Sequence, residues 1–366
     1  MPQSSNWILR RLGHLDGILL TLVLLLLGVS LAVVASASGQ SPARISGHLI
    51  NIGLALGVMV VMANVPPHLL SKVGLPLYVA GMVMLIGVAL FGEIRNGSRR
   101  WLNLGFMAFQ PSELLKLALP LMLAWYFQRN EAVLRAKHYL VGGALLLLPF
   151  VLILRQPDLG TALMLGASGF YLLFFAGLPW KVIFGGAALG GASLPVVWGL
   201  LHDYQQRRVL TLLDPASDPL GDGYHIIQST IAIGSGGLFG KGWTRGTQNQ
   251  LDFVPERTTD FVFAVFGEEF GYVGVIFLVG LYLAIVARGL TIAARAPTLF
   301  GRLMAATLSL NLFTYVFVNM GMVSGILPVV GVPLPLMSYG GTALITLLLG
   351  MGIVMSVATH RRLNKS

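Results

Sequence analysis

The chain has 366 residues, 55% hydrophobic and 10% charged, with a formal net charge of +10 and no cysteine. Charged residues make up about 25% of an ordinary soluble domain, so this composition excludes a soluble enzyme, a disordered protein and a disulfide-stapled secreted module. The missing thiols exclude cysteine nucleophiles and thiolate metal sites.

A hydrocarbon core of about 30 Å takes about 20 apolar residues per helical crossing. Long apolar runs predict ten helices, over 16–37, 46–65, 73–92, 112–128, 139–154, 158–177, 180–201, 259–287, 300–323 and 341–359. The expected fold class is therefore all-α: a polytopic integral membrane protein of about ten transmembrane helices, a single domain over 1–366. Arg10 and Arg11 before the first run and Ala35-Ser36-Ala37 after it imitate a signal peptide. That run exceeds the roughly 7–15 apolar residues of a signal, and it reads as a retained first crossing.

Lys and Arg number thirteen on the side of the termini against five, Arg44, Arg95, Arg99, Arg100 and Arg155, in the short loops opposite. This imbalance predicts cytoplasmic termini, and it accounts for the basic charge without a nucleic-acid partner. Three of the five outer arginines fall in Glu93-Ile94-Arg95-Asn96-Gly97-Ser98-Arg99-Arg100-Trp101, between the third and fourth helices. Clustered guanidinium groups suit a phosphate or diphosphate, and a tryptophan suits the membrane interface.

In that topology the fourth, sixth and eighth helices begin on the outer face, each with an acidic phrase led by proline. These are Gln110-Pro111-Ser112-Glu113, Gln156-Pro157-Asp158 and Pro255-Glu256-Arg257-Thr258-Thr259-Asp260. An acid in a first turn meets free N–H groups and the positive dipole end, so each alone serves as a cap. Together, Glu113, Asp158 and Asp260 stand at one depth, where three carboxylates can converge. Lys116 shares the helix face of Glu113 one turn deeper, and a lysine within a crossing marks a site or a paired charge. Glu268 and Glu269 project about 100° apart and read as structural pairs. Asn311 and Asn319, eight residues apart on nearly one face, read as hydrogen-bonding glue between helices.

Segment 202–258 is predicted to be a long extracytoplasmic loop, with Arg208 among its basic residues. Within it, 224–233 is amphipathic enough for a short helix on the bilayer surface. The run Gly234 to Gly242 imitates a phosphate-binding loop but fails the pattern, with Ser235 at the leading glycine and Gly242 after Lys241. The seven histidines are scattered, without metal-ligand spacing. Three prolines, Pro328, Pro333 and Pro335, predict that 324–340 bends at the outer face instead of crossing.

Several of these phrases resemble the SEDS family of bacterial cell-wall polymerases, in particular its rod-elongation branch. They are FVPERTTDFVFAVFGEEFG over 253–271, GYHIIQSTIAIGSGGLFGKGW over 223–243, GSRRWLNLG, FQPSELLKLALP, RQPDLGTAL and VSGILPVVGVPLPLMSYGGT over 323–342. The resemblance implies a peptidoglycan glycosyltransferase of the cytoplasmic membrane that joins lipid II units on the periplasmic side. Its implied partners are a class B penicillin-binding protein acting as transpeptidase, other rod-elongation membrane proteins and membrane lipid. By motif, Asp260 matches the family's essential aspartate, and Glu113, Lys116 and Asp158 match polar residues of its central cavity. Thr258 departs from the histidine expected there.

Inverting transfer from a lipid diphosphate donor needs a base for the acceptor hydroxyl, the role expected of Asp260. Its basicity is expected to rise through Glu113, Asp158 and desolvation. Lys116, Arg99, Arg100 and Arg208 would bind the diphosphate with Trp101 beside them, and a divalent cation, Mg or Mn, is the alternative charge. A lipid II flippase or transporter is the competing reading.

Overall fold

A computed structural model of the chain describes residues 15–95, 98–103, 108–156, 158–201, 203–219 and 221–360. Seven long helices come first: α1 Gly17–Ala37, α2 Pro42–Ala63, α3 Pro67–Phe91, α4 Pro111–Arg129, α5 Ala136–Arg155, α6 Leu159–Phe175 and α7 Trp180–Leu200. The long segment then forms α8 Asp203–Leu213, α9 Asp222–Ser235 and the single turn α10 Thr247–Gln250. Three long helices follow: α11 Val262–Ala294, α12 Leu299–Val323 and α13 Gly341–Thr359. Every predicted crossing thus falls on a helix. Eight of them are long and apolar enough to span a bilayer; α6 is shorter, and α4 is diluted by Glu113, Lys116 and Arg129. The chain is a polytopic membrane protein.

Two predicted features differ. Segment 202–258 is largely helical, and α9 turns Gly223, Ile226, Ser229 and Ala232 inward, a buried face every third residue that packs on α11. Ser229 donates from its hydroxyl to the Val323 carbonyl at 2.8 Å. Segment 93–109 carries a small antiparallel sheet of β1 Glu93–Arg95, β2 Ser98–Asn103 and β3 Ala108–Phe109, in that order. The Asn-Gly pair between β1 and β2 is the sequence preference of a two-residue hairpin.

The core is a continuous apolar cluster reaching from α1 to α13. The most extensive pairings are α13 with α2, α3 with α4 and α11 with α12. In contrast, α7 buries none of the residues of its apolar span. Prolines inside helices free backbone carbonyls that lipid cannot satisfy. In α5, Pro149 leaves the Leu145 carbonyl without its helical donor, and the Tyr78 hydroxyl donates to it at 2.7 Å.

The same requirement explains the glycine run. Gly271 has φ +65° and breaks α11. The Tyr272 and Val273 amides turn away to donate to the Gly237 and Leu238 carbonyls, at 2.9 and 3.1 Å. The Glu268 and Glu269 carbonyls receive the Lys241 and Gly242 amides instead, both at 3.0 Å. Loop and helix therefore exchange partners across the break. A Cβ at Gly271 would stand 2.2 Å from the Gly240 nitrogen, and one at Gly240 2.1 Å from the Glu269 carbonyl oxygen, so neither position has room for a side chain.

The adjacent glutamates have the structural roles expected of them. Glu268, fully buried, accepts from Lys241 Nζ at 2.7 Å and from the Gln248 and Asn249 amides at 3.0 and 3.2 Å. Glu269 accepts from the Ser36 hydroxyl of α1. Segment 324–340, as predicted, forms no helix.

Gly271→Ala should lower the melting temperature of the detergent-purified protein, through a left-handed φ costing about 1–2 kcal/mol and a steric conflict with the loop. Gly280→Ala, where nothing lies within 4 Å, is the matched control and should leave melting unchanged or raise it.

Candidate active site

A cavity of about 320 Å3 opens between α4, α6, α12, α13 and segment 324–340. Gln110, Glu113, Lys116, Asp158 and Arg208 give it a polar mouth, whereas Leu117, Leu308, Leu347, Gly350 and Met351 make its far end apolar. Four of the predicted site residues thus line one space.

The three acids meet different fates there. Asp158 is a helix cap: its Oδ1 accepts the Thr161 amide at 3.1 Å, and its Oδ2 accepts from Gln110 Nε2 at 3.3 Å. Glu113 pairs with Lys116 one turn along α4, Oε1 to Nζ at 2.7 Å. The Lys116 ammonium also lies 5.7 Å from the centre of the Tyr315 ring on α12, within cation–π range. Arg208 comes in from α8 and pairs with Asp222 at 3.5 Å.

Asp260 differs from both other acids. It precedes the observed start of α11 by two residues, so it lies on a turn and not, as expected, inside a helical first turn. No hydrogen bond reaches its carboxylate from the described residues. It adjoins the cavity at Gly331, a lining residue with φ +68° whose absent Cβ would sit 3.5 Å from Asp260 Oδ2. Burial pushes its carboxyl up to about 6, and the nearby Glu256 charge adds to the rise. The expected contribution of Glu113 and Asp158 is corrected here, since Glu113 is neutralised by Lys116 and Glu256 supplies the second cause.

Segment 324–340 clamps the turn that bears Asp260. Ser338 Oγ donates to the Thr259 carbonyl at 2.6 Å, and the Tyr339 amide to the Thr258 carbonyl at 2.8 Å. Asn319 Nδ2 donates to the Asp260 carbonyl at 2.8 Å and to the Val332 carbonyl at 2.7 Å. From α2, Arg44 Nη1 donates to the Thr258 hydroxyl at 3.2 Å.

Arg99, Arg100 and Trp101 fall on β2, and their side chains lie outside the described residues. Among the described residues no three His, Asp or Glu side chains gather to hold a metal ion. Sequence reasoning missed Tyr315, Gly331 and Ser338. Tyr315 had a readable signal, because Asn311, Tyr315 and Asn319 recur every four residues on one face of α12. Asn311 is the expected interhelical bridge, donating to Ser168 Oγ of α6 at 3.0 Å.

Residues 16–363 match the FtsW/RodA/SpoVE family, described as cell cycle proteins. The chain is 52% identical to peptidoglycan glycosyltransferase MrdB of Escherichia coli strain K12, over 96% of this chain and 95% of that protein. It is 35% identical to probable peptidoglycan glycosyltransferase FtsW of Aeromonas salmonicida, over 96% and 93%. A chain in a structure of a peptidoglycan synthase complex that coordinates polymerization and crosslinking superposes with a TM-score of 0.81 at 37% identity, covering 94% of this chain and 97% of that one. The Rod shape determining protein RodA of Thermus thermophilus superposes at 0.72 with 32% identity, over 95% and 98%.

Glu256→Gln should lower the Asp260 pKa from about 6 while leaving it above the ordinary aspartate value. The pH midpoint of carbodiimide modification at Asp260, followed by peptide mass spectrometry, checks this. A midpoint identical to that of the unmodified chain would leave burial as the sole cause.

Proposed function

The chain belongs to the FtsW/RodA/SpoVE family of cell cycle proteins, and on that premise we infer that it is a peptidoglycan glycosyltransferase polymerising lipid II into β-1,4 glycan strands during cell elongation. The carrying observation is a half-buried carboxylate without a hydrogen-bonding partner among the described residues, Asp260, at the edge of a cavity that also holds two cations. A carboxyl group near 6 is ionised at neutral pH, yet it is a stronger base than an ordinary aspartate. That combination suits removal of a proton from a sugar hydroxyl.

In the proposed reaction, the acceptor hydroxyl oxygen attacks the anomeric carbon of the donor saccharide. Asp260 takes the hydroxyl proton, the bond to the lipid diphosphate breaks, and the α configuration inverts to β. The diphosphate leaves as an anion, so it needs positive charge more than a proton donor. Lys116 and Arg208 line the cavity for this purpose, with Arg99, Arg100 and Trp101 of β2 assigned to the same headgroup. Both cations have carboxylate partners, Glu113 and Asp222, which an arriving diphosphate must displace or share. The described residues offer no ready cage for Mg or Mn.

The site is assigned to the periplasmic side of the bacterial cytoplasmic membrane, where the positive-inside bias places the starts of α4 and α6. A class B penicillin-binding protein is the proposed transpeptidase partner, together with other rod-elongation proteins. One observation favours the flippase reading: the cavity descends to Gly350 and Met351, midway along α13. A carboxylate placed beside the mouth favours chemistry there.

Purified protein in liposomes given labelled lipid II, with and without a class B penicillin-binding protein, separates the two readings by glycan product against leaflet transfer. Asp260→Asn should abolish polymerisation and preserve expression, membrane insertion and melting; near-normal glycan synthesis by that variant removes Asp260 from the mechanism. The rate of the unmodified enzyme should fall as pH drops through about 6 and level off above it, because only the ionised carboxylate accepts the proton.

A further inference from the structure

We propose that Asn319 is a positioning residue for glycosyl transfer, its buried amide tying the peptide of Asp260 to the cavity wall at Val332. The inference rests on the reading of Asp260 as the base. Asn319 lies on α12, two turns from its cavity-lining neighbour Asn311 and one from Tyr315, and is fully buried. A side-chain amide nitrogen carries two hydrogens. Here both are used, one on the Asp260 carbonyl at 2.8 Å and one on the Val332 carbonyl at 2.7 Å.

Both acceptors lie outside regular structure. Asp260 sits on the turn before α11, and Val332 in the non-helical segment 324–340, so neither carbonyl has a helical donor. A buried carbonyl without a donor is costly, and Asn319 answers two at once. The bridge also sets a functional distance. Val332 follows Gly331, the residue whose Cβ position lies 3.5 Å from Asp260 Oδ2. The Ser338 and Tyr339 bonds hold Thr259 and Thr258; in the peptide that follows, the Phe261 amide donates to the Glu256 carbonyl at 3.2 Å, which leaves the Asp260 carbonyl to Asn319.

A space-filling role does not account for this residue. Asn319 Oδ1 is buried with no hydrogen-bond partner among the described residues, a defect that a leucine of similar size would not carry. An aspartate at 319 would keep the shape but lose both donors. Serine keeps one donor on a shorter stem.

The test compares Asn319→Leu, Asn319→Asp and Asn319→Ser with the unmodified protein in detergent. It reads lipid II polymerisation as kcat and KM separately, and the pH midpoint of carbodiimide modification at Asp260, which needs no activity. The charged groups around that carboxylate are Glu256 on its own segment, Arg44 through Thr258, and Glu113, Lys116, Asp158 and Arg208 of the cavity. All are unchanged in these variants, but Asn319→Asp adds a carboxylate that moves the midpoint by charge alone, so the midpoint is read from Asn319→Leu and Asn319→Ser, and Asn319→Asp is read by kcat and KM only.

Misplacing a catalytic group by about 1 Å costs on the order of 100-fold. Asn319→Leu and Asn319→Asp should therefore lose about 10- to 100-fold in kcat with KM within about twofold, and Asn319→Leu should shift the modification midpoint. Asn319→Ser should fall between them and the parent, and it carries the test if the other two fail to fold. Folded variants with parental kcat and an unmoved midpoint overturn the proposal. So does a loss confined to KM. A shifted midpoint in a protein whose parent makes no glycan would uphold the bridge and sink the glycosyltransferase reading alone.

Discussion

A carboxylate in apolar surroundings must find a donor, a cation or a proton, and the arrangement of this protein follows from how each acid meets that demand. Asp158 takes the Thr161 amide of its own helix and the Gln110 side-chain amide, Glu113 takes Lys116, and Glu268 takes Lys241 with two loop amides. Asp260 alone among these four takes none from the described residues. Its charge is kept tolerable by partial exposure to the cavity, and the price is a weakened acidity, which the proposed reaction would use.

The cavity then divides labour by depth. Its mouth is charged and nearly balanced, with lysine and arginine offset by one glutamate and one aspartate, whereas its far end is lined by leucine, glycine and methionine. An amphiphile with an anionic headgroup meets both halves in the right order. Because Lys116 and Arg208 are already paired, the empty cavity does not hold naked cations in low dielectric, where a lone charge is severely penalised.

Much of this was legible in the sequence, for physical reasons that differ from residue to residue. The helices over the ten predicted crossings follow from length and apolarity, which a bilayer enforces without regard to tertiary detail. Asp260, Glu113, Lys116 and Asp158 stood out because charge is rare in such a chain, and the SEDS-like phrases around them fixed their grouping. The bracing of Asp260 by Asn319, Ser338 and Tyr339 was not legible, because it joins residues up to 81 positions apart through backbone carbonyls that carry no sequence signature. Desolvation, the larger cause of the raised Asp260 pKa, was foreseen, but the charged neighbour behind the rest was misjudged for a related reason. Proximity of Glu113 could be guessed, but its neutralisation by Lys116 depends on rotamers. The small sheet was overlooked because strands of two to six residues fall below any periodicity.

The glycine run that imitates a nucleotide loop instead completes a broken helix, and this has a bearing on how the molecule acquires its active form. The stretch of α11 before Gly271 is too short to persist as an isolated helix. It gains its last carbonyl partners only when residues 237–242 have docked. The turn carrying Asp260 leads directly into that stretch, so membrane insertion of the helices alone would leave the support of the proposed base unfinished until the loop had docked.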